Sequence, residues 1–163
     1  TLLDEVPIDA ARFFFNLREP NSHFDFDLDL AVSESNSNPV FYVQYAHARI
    51  CRIIEKMKEE EGKTLGSYEA KNISFSEPAE LAIIRHLALL PSEITDAAKS
   101  YNPSVVTRYV QELAQLFHKF YDTCKIKGEA DDVINSRLAL CEAVKTVIKN
   151  MLDLLKVEAP EKM

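Results

Sequence analysis

The stretch from Asn38 to Glu61 most constrains what this chain can fold into. Asn38 offers a capping side chain and Pro39 suits the first helical position, so the pair predicts a helix start. The helix is expected to run to about Glu61, ahead of Gly62. Within it Val43, Ala46, Ile50, Ile53 and Met57 recur at helical spacing and form an apolar stripe that can face a core. A neighbouring stripe carries Tyr42, Tyr45, Arg49 and Arg52. Rings stack on any base and guanidinium groups pair with phosphates, so this face suits RNA. The same residue types also line ordinary helix-packing rims, and spacing alone leaves both readings open.

The chain has 163 residues, of which 47% are hydrophobic, enough for one core: a single domain, or one domain with a fragment of another. No apolar run reaches the 18 or so residues of a membrane span. Thr1-Leu-Leu-Asp-Glu-Val-Pro lacks the pattern of a signal peptide and reads as a cut inside a longer chain. Cys51, Cys124 and Cys141 lie far apart within helical patterns, which argues against a disulfide framework or a metal site and for a reducing cytosol. The net charge of -7 counts against bulk attraction to nucleic acid, but it is unevenly spread. Residues 1 to 35 hold eight carboxylates against two arginines, whereas residues 36 to 163 hold seventeen cations against eighteen anions. A near-neutral helical module can still present a local basic face.

A short, very apolar helix is expected to follow Asp9, with Phe13, Phe14 and Phe15 in sequence, ended by turn chemistry at Glu19-Pro20-Asn21-Ser22. Phe24, Phe26, Leu28 and Leu30 alternate with Asp25, Asp27 and Asp29, which predicts a half-buried extended segment with a solvated acidic face. The calcium-loop pattern fails there, because Leu30 and Asn36 stand where Gly and Glu are required. A polar run from Ser33 leads to the Asn38 cap. Beyond a loop from Gly62 to Ser76, a third helix is expected over Pro78–Leu90, ended by Pro91, and a short fourth over Ser92–Tyr101. Asn102-Pro103 repeats the cap-and-proline start of a helix that buries Val106, Tyr109, Val110, Leu113, Phe117 and Phe120. After a turn at Gly128–Asp132, Ile134, Leu138, Cys141, Val144, Ile148, Met151 and Leu155 mark a last long helix.

Catalytic constellations are scarce. His118 and Asp122 are within helical reach, a spacing typical of a helix-face contact, and no third partner is evident. His47 sits between the packed and aromatic stripes, where a core-edge or RNA-contacting role fits better than metal binding. CxxC, HExxH and GxSxG patterns are all absent. The chain is expected to carry no catalytic residues and no metal.

Three runs carry a resemblance: Asp9-Ala-Ala-Arg-Phe-Phe-Phe, Arg18-Glu-Pro-Asn-Ser-His-Phe-Asp-Phe-Asp-Leu-Asp-Leu-Ala, and Asn38-Pro-Val-Phe-Tyr-Val-Gln-Tyr-Ala-His-Ala-Arg-Ile. With Leu113-Ala-Gln-Leu-Phe-His-Lys-Phe-Tyr-Asp-Thr-Cys, Arg137-Leu-Ala-Leu-Cys-Glu-Ala and Ala159-Pro-Glu-Lys-Met, they resemble the bacterial arginyl-tRNA synthetase family over essentially the whole chain.

The resemblance implies an all-α helical bundle that binds the tRNA anticodon at residues 38–163. Residues 1–37 would be the tail of a class I catalytic domain and a connecting loop. It implies a cytoplasmic, monomeric ligase that joins arginine to its tRNA with ATP and magnesium, tRNA binding first. The family's His-Ile-Gly-His and Lys-Met-Ser-Lys type motifs are absent, so this part is expected to bind without catalysing and to hold no cofactor. The implied tRNA contacts are Tyr45, Arg49, Tyr121 and Met163, with Lys149 a further match. The run Glu34 to Pro39, including Asn36 and Asn38, matches a loop that rearranges when the anticodon docks. The implied partners are arginine tRNA and the catalytic domain in the same chain, against which the Phe13–Phe15 helix should pack. A helical protein-interaction domain without RNA binding is the alternative.

Overall fold

In the computed structural model, which describes residues 2–64 and 73–163, eight helices follow one another and no strand occurs among the described residues. They are α1 (Leu2–Glu5), α2 (Ile8–Asn16), α3 (Leu28–Val32), α4 (Pro39–Glu61), α5 (Pro78–Ala88), α6 (Leu90–Ser100), α7 (Ser104–Thr123) and α8 (Asp131–Leu154). The all-α class implied by the resemblance is the one observed. Helix α7 is central and packs against α2, α4, α5, α6 and α8. Its Val110, Leu113, Ala114, Phe117 and Phe120 are completely buried, at the three- and four-residue spacing of one helix face. They meet Val43, Ala46 and Ile50 of α4 and Cys141, Val144 and Ile148 of α8 in one core.

The α4 boundaries follow from local chemistry. Asn38 Oδ1 accepts from the Val40 N–H at 3.2 Å, while its Nδ2 donates to the carbonyls of Ser33 (2.9 Å) and Ala31 (3.2 Å). One buried amide thus caps α4 and ties the preceding loop to it. At the other end Gly62 takes φ 62°, and the Lys63 N–H reaches the Met57 carbonyl at 3.1 Å. That turn places its first residue beyond the helix in left-handed space, where glycine has no Cβ penalty.

The extended segment expected over residues 24 to 30 is corrected: Leu28–Val32 is helical, and Asp27 is its N-cap, accepting from the Leu30 N–H at 2.9 Å. Alternation over so few residues fits a turn of helix as well as a strand, and the aspartate that reads as a strand face is a capping side chain. Asp25, Asp27 and Asp29 are exposed. Pro91 is corrected too: α5 ends earlier, at Ala88, and Pro91 lies in the first turn of α6. Of the Phe13–Phe15 triplet, Phe13 and Phe14 are buried in the same core as α4 and α7. Phe15, turned about 100° further round the helix, is 55% exposed and packs on Phe24 and Phe26. The loop expected from Gly62 to Ser76 lies in part, at residues 65–72, outside the described residues.

A buried ion pair fixes α5 to α8. Arg137 Nε donates to Glu80 Oε1 at 2.7 Å, and Glu80 Oε2 accepts from the Ser76 and Glu77 N–H groups at 3.0 Å each. Arg137 also donates to the Lys125 carbonyl. Burial raises the Glu80 pKa, but these donors outweigh it and the net shift is downward.

Candidate nucleic-acid interface

Tyr45 and Arg49 lie one turn apart on α4, and their side chains meet: Arg49 Nη2 donates to the Tyr45 hydroxyl at 3.0 Å. The Arg49 guanidinium carbon is 4.8 Å from the Tyr45 ring centroid and 4.8 Å from that of Tyr121 on α7. A guanidinium between two ring faces is held by cation–π attraction on both sides, each contact worth roughly 0.5–2 kcal/mol. It bridges α4 to α7 while remaining half-exposed. The Tyr121 ring is 42% exposed, so its row with Phe117 and Phe120 ends in a residue turned to solvent.

These three side chains line a cleft of about 450 Å³. Arg52, Lys56 and Lys162 add positive charge to Arg49, against Glu55 and Glu161, so the cleft is locally basic in a chain of net charge -7. Met163, 55% exposed, completes one wall. It also lines an adjoining cleft with Tyr45, Ser33, Glu34, Asn38 and Phe41. The loop and the C-terminal tail thus meet at Tyr45.

Four side chains hold that tail. Arg12 Nη1 donates to the Lys156 carbonyl at 2.7 Å, Asp9 Oδ2 accepts from the Glu158 N–H at 3.1 Å, and Gln44 Nε2 donates to the Glu158 carbonyl at 2.9 Å. His47 Nδ1 lies 2.9 Å from the Pro160 carbonyl oxygen, which can only accept, so this nitrogen carries the proton. His47 is 2% exposed and takes the core-edge role, not an RNA-contacting one. Residues of α2 therefore help to place Met163, although none of them lines the basic cleft.

The stripe of α4 is divided by this geometry. Tyr45, Arg49 and Arg52 face the cleft, but Tyr42 is covered by His118 of α7 at 4.7 Å between ring centroids. Burial raises the Tyr42 pKa, as does Asp122, against the opposing charge of Arg49. His118 itself, expected to be a helix-face partner of Asp122 and subject to its charge, also stacks on Tyr45 at 6.0 Å and lies 3.4 Å from Arg49 Nη1 through Nδ1. No local spacing marks that meeting, which joins residues 69 positions apart. Lys149 is not brought to the cleft: its ammonium pairs with Asp153 at 3.0 Å on the exposed face of α8. In the loop, Glu34 and Asn36 are exposed, and Pro39 begins α4.

Several known proteins share this architecture. An arginine–tRNA ligase of Caldanaerobacter subterraneus is 52% identical over 99% of this chain, and that of Ruminiclostridium cellulolyticum is 46% identical over the same share. The chain spans only 29% of either relative's length. Among solved structures, a Campylobacter jejuni chain described as an arginyl-tRNA synthetase superposes with a TM-score of 0.88 at 31% identity, over 99% of this chain and 35% of its own. The Thermus thermophilus arginyl-tRNA synthetase gives 0.81 at 28% identity, over 95% of this chain and 26% of its own. The family model described as the DALR anticodon binding domain matches residues 43–163, from the second turn of α4 to the tail that closes the cleft, and the chain belongs to that family.

Proposed function

We propose that this chain is the anticodon-binding region of an arginine–tRNA ligase. Arginine tRNA would be held at Tyr45, Arg49, Tyr121 and Met163. The observation that carries the reading is the half-exposed Arg49 guanidinium between the Tyr45 and Tyr121 rings, at the mouth of a basic cleft. A planar cation flanked by two rings keeps its edge to pair with a phosphate or donate to a base edge, while the exposed Tyr121 ring can stack on an unpaired base, the repertoire that single-stranded loops demand. Lys149 would add a contact from α8. The Glu34–Pro39 loop would respond when a base enters, a reading supported by the cleft that Glu34 and Asn38 share with Tyr45 and Met163.

In the whole protein, residues 38–163 would form the binding domain and residues 1–37 the end of a class I catalytic domain, which would activate arginine with ATP and magnesium. That enzyme would be cytoplasmic and monomeric. Leu3, Ile8, Phe15, Leu28 and Val32 are exposed apolar side chains of the N-terminal helices and suit contact with that domain. The test is binding of an arginine tRNA transcript, compared with an unrelated tRNA, across a salt series. Preference for the arginine tRNA with affinity falling as salt rises is expected. A flat salt response would favour a protein-binding groove instead. Pyrophosphate exchange into ATP should be absent from the chain alone, and arginine-dependent exchange in a clean preparation would overturn that assignment.

A further inference from the structure

We propose that His118 is the positioning residue of the cleft: its imidazole fixes the Arg49 guanidinium in the plane between Tyr45 and Tyr121. This rests on the reading of the cleft as an RNA-binding surface. Arg49 Nη1 is a donor and cannot accept, so the contact at 3.4 Å makes His118 Nδ1 the acceptor. A neutral imidazole with Nδ1 accepting carries its proton on Nε2, which is buried, and the Tyr42 backbone lies within hydrogen-bonding reach of the ring. The nitrogen facing Arg49 gives the histidine its use.

The ring's other contacts fit the same role. It packs on Tyr42 at 4.7 Å and on Phe117 at 5.8 Å, and lies nearly parallel to Tyr45 at 23°. Two acceptors, Tyr45 Oη and His118 Nδ1, thus take two different nitrogens of one guanidinium, which point contacts to ring faces could not orient. A protonated imidazole would lose the acceptor and repel Arg49. The charged or titratable groups facing it are Arg49, Tyr42 and Tyr45 from α4 and Asp122 from its own helix. Burial first, and the Arg49 charge second, hold the His118 pKa below its ordinary value, against the opposing Tyr42 backbone and Asp122. The neutral form therefore prevails at pH 7.

The experiment pairs His118→Phe, which keeps a ring without an acceptor, with His118→Asn, whose amide oxygen can occupy the Nδ1 position and does not titrate. The Arg49 side-chain NMR signal, ring-current shifted by two aromatic rings, reports the positioning without any RNA. His118→Phe should average that signal toward its free value and weaken arginine tRNA binding on the order of tenfold, the scale of one hydrogen bond to a charged group. His118→Asn should restore much of both. Binding by the parent chain should weaken between pH 7 and pH 5 more steeply than binding by His118→Asn. An unchanged Arg49 signal in a folded His118→Phe variant would overturn the proposal. An altered signal in a chain that binds no tRNA would leave the positioning role intact and overturn the RNA reading alone.

Discussion

His47 Nδ1 and the Pro160 carbonyl oxygen, 113 residues apart in the chain, lie 2.9 Å from each other. This bond joins the middle of α4 to the tail and carries Met163 to Tyr45. Replacing His47 by Ala should cost about 1–3 kcal/mol through the lost bond and the space left in the core edge. The tail should then become open to limited proteolysis. Protection equal to the parent's would show that Asp9, Arg12 and Gln44 suffice to hold it.

Tyr45 and Arg49 should behave as one unit. Tyr45→Ala is expected to weaken arginine tRNA binding by about 1–3 kcal/mol, the range for loss of a stacked base. Because the ring also orients the guanidinium, the double variant with Arg49→Ala should lose less than the two single losses added together. The cycle is read by equilibrium binding at fixed salt, with the unfolding midpoint of each variant measured alongside. Strict additivity would mean that the two side chains act separately.

Glu80 and Arg137 lie outside the cleft and should affect stability alone. Glu80→Ala leaves a buried guanidinium unpaired, a change that costs about 3–5 kcal/mol in comparable pairs. Since the folded-state pKa of Glu80 is depressed, its contribution is fully present above the ordinary carboxylate range and is lost as pH falls through the folded value. Denaturant titrations from pH 6 down to pH 3 should show a smaller acid loss in Glu80→Gln than in the parent. Equal acid sensitivity would place the acid-labile groups elsewhere.

The exposed Phe15 ring and its apolar neighbours should drive self-association of the isolated chain. Phe15→Ser should lower the apparent mass in light scattering at high concentration with little change in unfolding midpoint, because this ring lies outside the core. A parent chain that stays monomeric under the same conditions would dismiss the effect.

Much of this architecture is legible in the sequence because its signals are local. Asn38-Pro39 announces α4, and the spacing of Leu113, Phe117 and Phe120 names the buried face of α7. Where two local readings compete, the sequence is less decisive: Phe24 to Leu30 alternates like a strand, yet Asp27 caps a helix there. Pro91 can end one helix or sit in the first turn of the next, and it sits in the first turn of α6. The cleft divides along the same line. Tyr45, Arg49 and Arg52 share a helix and declare their stripe, whereas His118 reaches Arg49 only through the packing of α7 on α4, which no spacing encodes. The tail's hold on Asp9, Arg12, Gln44 and His47 is equally non-local, and the resemblance alone points to Met163.

That tail has a consequence for the order of folding. Arg12 meets Lys156, and Asp9 meets Glu158, across separations of 144 and 149 residues, among the longest loops this chain can close. Such contacts form late, because the chain between them must first be ordered. The bundle of α2, α4 and α7 can therefore collapse before the tail is laid down on it. The clamp, and the cleft wall it carries, close last, so a refolding chain completes its core before its cleft.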